Sequence, residues 1–156
     1  MDTTILWLKV DSNGCKEGTG IPWDDKGQSM LTHIFISYES TYIKSIQTSY
    51  ISDGRRKFSS RHGSNGAMFS MAELDCPSEF LTGISGYKDV NGVNSLTFET
   101  NRRKIGPFGQ EKGKHFSIQM GSNFGGFHGE SFLDYLCSIG VYLKTMDPML
   151  KNSGDI

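Results

Sequence analysis

Three stretches of the chain contain the kinds of group that bind sugars. A sugar is held by backbone N–H donors, by a carboxylate that accepts from neighbouring hydroxyls, and by an aromatic face against its C–H side. Residues 18–25 offer an open, glycine-containing backbone, residues 129–142 offer a second candidate loop, and residues 86–94 could form a third wall. The polar and aromatic side chains of the last two stretches that fit this chemistry are Phe132, Asp134, Tyr135, Tyr87, Lys88 and Asp89. This combination indicates a carbohydrate-binding site.

The side chains that could catalyse a reaction or hold a metal are scattered along the chain. The sequence has no nucleophile elbow, no phosphate-binding loop and no histidine-rich metal motif. Asp24 and Asp25 are adjacent and precede Lys26-Gly27, a pattern that favours a turn over a catalytic carboxylate pair. None of the histidines lie at metal-ligand spacing on one element: His33, His62, His115 and His128. We therefore expect a non-catalytic protein with no metal and no other cofactor.

The cysteines, the N-terminus and the net charge predict where the protein is located and which classes of partner it lacks. Cys15, Cys76 and Cys137 are odd in number and widely spaced, which predicts reduced thiols in a reducing compartment. The N-terminus lacks the basic start and apolar stretch of a signal peptide, and no segment approaches the roughly 18 apolar residues of a membrane helix. These features predict a cytoplasmic location, with the nucleus as a second compartment, and no membrane partner. A net charge of -1 argues against a nucleic-acid partner.

Hydrophobic alternation predicts an all-β protein. Apolar and polar residues alternate along 33–38, 116–120 and 139–143, which is the period of strands with one buried face. Turn signals such as Asp53-Gly54 and Asn91-Gly92 separate these runs, and no convincing amphipathic helix interrupts them. The pattern predicts about eleven short strands arranged as a sandwich, a barrel or a prism.

The length of 156 residues fits one domain. We assign residues 8–146 to this domain and residues 1–7 to an N-terminal extension. Residues 147–156 are polar and contain Pro, Asn, Ser and Gly, which predicts a flexible C-terminal tail.

Six short segments, taken in order, resemble the jacalin-related lectins, which are β-prism lectins common in plants. The segments span roughly residues 8 to 145, and they are 20–27 (GIPWDDKG), 81–87 (LTGISGY), 95–101 (SLTFETN), 106–109 (GPFG), 126–129 (GFHG) and 139–143 (IGVYL). The resemblance implies the β-prism I fold, with three four-stranded Greek-key sheets, pseudo-threefold symmetry, and pairing of the first and last strands.

The resemblance also implies a metal-free sugar site between a glycine loop and a Gly-x-x-x-Asp loop before the last strand. Gly20 matches the glycine of the first loop. In the second loop, anchoring on Ile139-Gly140 puts Cys137 where the sugar-binding Asp belongs and Leu133 where the Gly belongs. In another alignment Asp134 supplies the acid, with Glu130 at the Gly position and three extra residues before the last strand. The candidate carbohydrate-binding residues are Gly20, Asp134, Tyr135 and Cys137.

The degenerate second loop leaves two functions open. The first is a mannose- or glucose-type lectin that favours these sugars over galactose. A thiol at position 137 lacks the two strong acceptor oxygens of a carboxylate, so it would weaken such a site roughly ten- to a hundredfold. The alternative is a protein-interaction module in plant defence, because segments 34–37, 61–63 and 83–86 resemble a branch that restricts virus movement through protein contacts. Family members often assemble, so we expect a homo-oligomer. Tyr135 could equally be a core residue of the closing strand.

Overall fold

The computed structural model describes residues 5–27 and 30–146, so residues 1–4 and the predicted tail 147–156 lie outside the described residues. Within these ranges the chain forms strands joined by turns, with no helix that could cross a membrane. The strands are β1 (Ile5–Lys9), β2 (Asn13–Gly14), β3 (Ile21–Asp24), β4 (Leu31–Tyr38), β5 (Ile43–Ser52), β6 (Arg55–Phe58), β7 (His62–Gly63), β8 (Met68–Glu73), β9 (Leu81–Lys88), β10 (Val93–Thr100), β11 (Lys104–Gly109), β12 (Lys114–Gln119), β13 (Phe124–Ser131) and β14 (Leu136–Met146).

The strands make three antiparallel sheets, each built on a central hairpin with one strand on either side. Their orders are β1-β14-β13-β3, β6-β5-β4-β8 and β11-β10-β9-β12. The two-residue strands β2 and β7 add to the first two sheets by pairing with β14 and β5. The repetition of one four-stranded pattern three times confirms the predicted β-prism I fold.

Strands β1 and β14 close the first sheet. They pair in register from Ile5 opposite Met146 to Lys9 opposite Tyr142, which places the first and last described strands side by side as predicted. Strand β1 begins at Ile5, three residues before the predicted start of the domain, because residues that were assigned to an extension hydrogen-bond to the last strand.

Alternation along the strands explains how the core forms. In β4, Ile34 and Ile36 are each 1% exposed, whereas His33 and Phe35, which alternate with them, point to the other face. Each fully buried Ile, Leu or Phe contributes roughly 1.5–3 kcal/mol of transfer free energy. The largest fully buried side chains come from all three sheets: Phe98, Phe127, Ile34, Ile36, Ile43, Ile46, Leu81, Ile84, Leu96, Leu136, Ile139 and Val93. The prism therefore has one shared core.

The three central hairpins turn at the same end of the prism. The turns lie at residues 39–42, 89–92 and 132–135, and residues from all three line one cleft. The rings of Tyr42 and Tyr135 meet edge to face with centroids 6.0 Å apart. We call this the loop end, and it carries both of the predicted sugar-binding loops.

Candidate functional site

The first predicted stretch, residues 18–25, is only partly an open loop, because Ile21–Asp24 form β3. The loop before β3, residues 15–20, is held by an acidic side chain of strand β13. Gly18 donates its N–H to one carboxylate oxygen of Glu130 at 2.9 Å, and Gly20 donates to the other at 2.7 Å. Glu130 is only 7% exposed, and its backbone N–H donates to the hydroxyl oxygen of Ser138 at 3.1 Å. Charge-assisted bonds of this kind are the strong ones in proteins. The Gly20 amide, which the sequence predicted to bind a sugar, therefore already has an internal carboxylate partner.

A disulfide joins this loop to the last strand. Cys15 and Cys137 are bonded, with their Cα atoms 5.4 Å apart and 122 residues between them in sequence. The Cys15 N–H also donates to the Cys137 carbonyl at 2.9 Å, next to the short pairing of Gly14 with Ser138. Both cysteines are buried. The sulfur of Cys137, one of the predicted sugar-binding residues, is thus occupied by a covalent bond.

The prediction of three reduced thiols is therefore wrong for Cys15 and Cys137. The pairing of β2 with β14 brings them together across almost the whole chain, which sequence spacing cannot reveal. Cys76 is the one free cysteine of the described chain, and burial, followed by the nearby charge of Asp75, raises the pKa of its thiol. A cytoplasmic location remains a prediction, now without support from these two cysteines.

The disulfide also affects what could bind a metal. In the described part of the chain, one group of potential ligands lies close enough, with atoms of Cys15, Glu130 and Cys137 within 4.8 Å of one another. Metal binding by cysteine requires thiolates, and these sulfurs are bonded to each other. In the oxidised state, the carboxylate of Glu130 is therefore the one member of this group that could still bind a metal ion.

The second predicted loop opens onto a separate cleft at the loop end, with a volume of about 440 Å³. We call it the loop-end cleft. Its walls are the three hairpin turns and the start of the segment after β11. The lining residues are Thr41, Tyr42, Asp89, Asn91, Gly92, Val93, Asn94, Gln110, Lys112, Asp134 and Tyr135. The set combines carboxylates, amides and tyrosine rings.

The carboxylate of Asp89 accepts three hydrogen bonds at the wall of the loop-end cleft. One of its oxygens accepts from the backbone N–H of Asn91 at 2.8 Å and of Gly92 at 3.3 Å, and the other accepts from the Asn94 side chain at 3.0 Å. The Asn94 bond is the main reason that the pKa of Asp89 is lowered. The amide of Asn94 is itself fixed by a second bond to the Lys112 carbonyl at 2.9 Å. This wall is therefore ionised and rigid at neutral pH.

Asp134 and Tyr135 form the facing wall. Asp134 is exposed, its carboxylate accepts no hydrogen bond from the described residues, and its carbonyl accepts from the Ser64 hydroxyl at 3.2 Å. Tyr135 is half-buried, and burial, with the nearby charges of Asp134 and Asp89, raises its pKa. A Cβ atom on Gly92 would lie 2.9 Å from the Leu136 carbonyl oxygen and 3.3 Å from the Tyr135 ring, so only glycine allows this close approach. The Tyr135 ring therefore packs closely against Gly92 of the β9–β10 turn and also lines the cleft.

The adjacent acids Asp24 and Asp25 have different partners. Asp24 accepts from the Lys26 N–H at 2.8 Å, which is the predicted turn, and from the Tyr142 hydroxyl at 2.7 Å. Asp25 lies 2.7 Å from Nε2 of His62, whose ring stacks on Trp23 at 3.9 Å. Neither carboxylate is aimed at a shared reacting position.

The structure divides the predicted site residues into two pairs. Gly20 and Cys137 lie together at the closed first loop, where a Cβ on Gly20 would be 3.3 Å from the Cys137 Cβ. Asp134 and Tyr135 lie together in the loop-end cleft. The predicted third wall, residues 86–94, contains Asp89 and Asn94, which both line the cleft. Sequence reasoning missed the contributions of Tyr42 and Gln110, for which no local pattern gave a signal. It also had no reason to assign Glu130 a bond to the glycine loop.

Comparisons with known proteins agree with this architecture. A sequence profile described as the Jacalin-like lectin domain matches residues 11–142. Protein RESTRICTED TEV MOVEMENT 1 of Arabidopsis thaliana is 38% identical over 146 residues, covering 86% of this chain and 84% of that protein. Jacalin-related lectin 24 of the same plant is 35% identical over 151 residues, covering 87% and 67%. The structure of a mannose-specific jacalin-related lectin from Morus nigra in complex with mannose has a TM-score of 0.79 at 29% identity, covering 88% of this chain and 94% of that one.

Proposed function

The chain belongs to the jacalin-like lectin family, and on that premise we propose that it binds mannose- or glucose-type carbohydrate at the loop-end cleft, without metal. Jacalin-related lectins are non-enzymatic carbohydrate-binding proteins, which agrees with the predicted class of function. The observation that carries the location is the contrast between the two predicted loops. The first is occupied by Glu130, and the second borders an open cleft of suitable chemistry.

Glu130 makes the glycine loop a poor place for a sugar. A sugar hydroxyl that bound the Gly20 amide would replace the charge-assisted bond from Gly20 to Glu130 by a neutral one. It would also leave one oxygen of a buried carboxylate without its donor, at a cost of about 1–3 kcal/mol. The exchange is unfavourable, so we infer that binding happens without moving Glu130.

The loop-end cleft offers what the glycine loop lacks. Asp134 carries an exposed carboxylate that accepts no hydrogen bond within the described ranges. Asp89 uses three of the roughly four acceptor positions of a carboxylate, which leaves one for a hydroxyl. Asn94 and Gln110 add amide groups, and Tyr135 adds an aromatic face. The volume of about 440 Å³ lies within the range of roughly 300–1,000 Å³ usual for small-ligand sites. The preference for mannose or glucose over galactose rests on the mannose specificity of the Morus nigra lectin.

A titration of isotope-labelled protein with methyl α-mannoside, methyl α-glucoside and methyl α-galactoside tests the proposal. We expect amide shifts at Gly92, Asn94 and Tyr135 with the first two sugars, no shift at Gly20, and no effect of EDTA. Asp134→Asn should weaken binding roughly ten- to a hundredfold, because it removes a charge-assisted acceptor. Asp53→Asn, a matched change on the distant β5–β6 turn, should have no effect. Shifts centred on Gly20 would refute the location, and no response to any sugar or glycan would refute the function.

One observation favours a second candidate, a protein-interaction module in plant defence against viruses. The family's glycine loop is filled from within by Glu130, and the chain is similar to Protein RESTRICTED TEV MOVEMENT 1. If a glycan array and the titration both give no binding while the protein stays folded, this candidate becomes the leading one. Retention of a plant protein from leaf extract by wild type, lost on substitution of loop-end residues, would then support it.

A further inference from the structure

Three buried side chains next to the first loop form a cluster whose chemistry depends on the redox state of the disulfide. The sulfurs of Cys15 and Cys137 and a carboxylate oxygen of Glu130 all lie within 4.8 Å of one another. The three residues are 7%, 0% and 7% exposed. Reduction of the disulfide would leave two thiols beside this carboxylate, and a reducing compartment, as predicted from the sequence, favours that state. We call these side chains the Cys–Glu cluster.

The backbone holds the two cysteines together independently of the disulfide. The Cys15 N–H donates to the Cys137 carbonyl at 2.9 Å, and Gly14 pairs with Ser138 on β14. A Cβ atom on Gly14 would lie 2.2 Å from the Cys137 carbonyl oxygen, so the close approach to β14 depends on a residue that has no Cβ. With their Cα atoms held 5.4 Å apart in this way, the two thiols would stay close to each other after reduction.

The carboxylate of Glu130 is held in place beside the two sulfurs. One oxygen accepts from the Gly18 N–H at 2.9 Å, and the other accepts from the Gly20 N–H at 2.7 Å. A carboxylate has roughly four acceptor positions, so about two remain for a cation. Carboxylates that bind metal ions are usually hydrogen-bonded in this way, because the bonds fix their orientation. Glu130 could therefore bind an ion without losing either glycine.

We propose that the reduced chain binds one Zn²⁺ ion, or a similar thiophilic divalent cation, through Cys15, Cys137 and Glu130. Thiolates favour such ions, whereas Mg²⁺ and Ca²⁺ prefer oxygen ligands. Bonds of about 2.3 Å to sulfur and about 2.0–2.2 Å to oxygen place the ligand atoms of a tetrahedral site roughly 3.3–3.8 Å apart. Ligand atoms that already lie within 4.8 Å of one another reach this spacing by side-chain rotation. A cleft of about 610 Å³, which Cys15 and Glu130 help to line, gives the ion a way in and room for water as the fourth ligand.

The exchange of the covalent link for a metal ion conserves the charge of the buried cluster. A dithiol reductant supplies two electrons and two protons to the Cys15–Cys137 bond and itself becomes a disulfide. The divalent ion then displaces the two thiol protons, so two positive charges leave as two arrive. The cluster keeps the single negative charge of the Glu130 carboxylate, which the two glycine N–H groups already stabilise. The first loop would thus stay joined to the last strand in either redox state.

Titration of the full chain with Cd²⁺, before and after reduction by a phosphine, tests the site. Cd²⁺ is the probe because its bonds to thiolates give an ultraviolet charge-transfer band, and a phosphine carries no thiol that would compete for it. We expect one equivalent of Cd²⁺ per reduced chain, with a dissociation constant of about 1 µM or tighter, and no band from the oxidised chain.

Substitutions identify the ligands. Cys15→Ser should weaken Cd²⁺ binding at least a hundredfold, and Glu130→Gln should weaken it about ten- to a hundredfold, because each removes a charged ligand. Glu73→Gln is the matched control for Glu130→Gln, since it makes the same change on an exposed side chain of β8. It should bind Cd²⁺ like wild type, as should Cys76→Ser, because Cys76 lies outside the cluster.

Zn²⁺ gives two further readouts that do not depend on a variant of the cluster. In the Cys76→Ser chain after reduction, the two cluster thiols should react with a thiol reagent at least tenfold more slowly with Zn²⁺ than with EDTA. Zn²⁺ at a hundred times its dissociation constant should raise the urea midpoint of the reduced chain by about 1 M and leave the oxidised chain unchanged. A folded, reduced chain that binds neither ion, equal binding by the oxidised chain, or binding that survives Cys15→Ser or Glu130→Gln unchanged would overturn the proposal.

Discussion

Reduction of the Cys15–Cys137 disulfide should destabilise the prism without unfolding it. The bond closes a loop with a sequence separation of 122 residues, nearly the whole described chain. For a loop of that length the chain-entropy relation gives about 5 kcal/mol at 25 °C, and measured values for disulfides are typically about 2–4 kcal/mol. We expect a loss of about 3 kcal/mol. The β1–β14 pairing persists without the bond, so the reduced protein should still fold.

Urea unfolding with and without a phosphine reductant measures this loss. With a slope of about 2 kcal/mol per molar urea, 3 kcal/mol corresponds to a midpoint lowered by about 1.5 M. The Cys15→Ser/Cys137→Ser double variant should match the reduced wild type and should not respond to reductant. Cys76→Ser should respond like wild type, because Cys76 is outside the bond.

A thiol count is independent of stability. Denatured, unreduced protein should react with a thiol reagent once, at Cys76, and reduced protein three times. Three reactive thiols before reduction, or a midpoint that reductant does not move, would refute the covalent link between the first loop and the last strand.

Three further predictions concern single side chains. The hydrogen bond from Arg103 is the main reason that the pKa of Glu79 is lowered to about 2, so its stabilisation is complete above pH 4.5 and is lost as the pH falls toward 2. Glu79→Gln should therefore cost up to about 3 kcal/mol at neutral pH and flatten the acid limb of stability against pH, and an unchanged limb would contradict this. Glu130→Gln should cost about 1.5–3 kcal/mol and speed hydrogen exchange of the two glycine amides that Glu130 holds, whereas the exposed control Glu73→Gln should do neither. Phe98→Ala, at a fully buried position, should lower stability by about 3–5 kcal/mol in urea unfolding, and a loss below about 1 kcal/mol would be inconsistent with the described core.

Local patterns in the sequence predicted about eleven strands, against fourteen in the described residues. A strand's burial repeats every two residues, and the two-residue strands β2 and β7 are too short to show that period. The alternation around Ile34 and Ile36 predicted which side of β4 faces the core, and the turn at Asp53-Gly54 falls between β5 and β6. The assembly of strands into three sheets came from the resemblance to a family, since alternation alone fits several closed or layered β folds.

The arrangement of the site could not be predicted in the same way, because it depends on pairs far apart in the chain. Cys15 meets Cys137 only after β2 has paired with β14, and an odd number of cysteines hid the bond. In the sequence, Glu130 was notable only because one alignment puts it at the Gly position of the Gly-x-x-x-Asp motif. Its role depends on the register of β13 against β3, where Glu130 lies opposite Pro22 and close to the loop before β3. Asp89 was named from its loop, but Asn94, which fixes it, lies on the following strand.

The pairing of β1 with β14 has a practical consequence for how this protein can be displayed. Strand β14 starts at Leu136 beside the loop end and runs eleven residues to Met146, opposite Ile5. At about 3.3 Å per residue, both described chain ends therefore lie roughly 30 Å from the loop-end cleft. A bead, a vesicle surface or a fused protein attached beyond either described end would therefore be joined to the side of the molecule that is opposite the cleft.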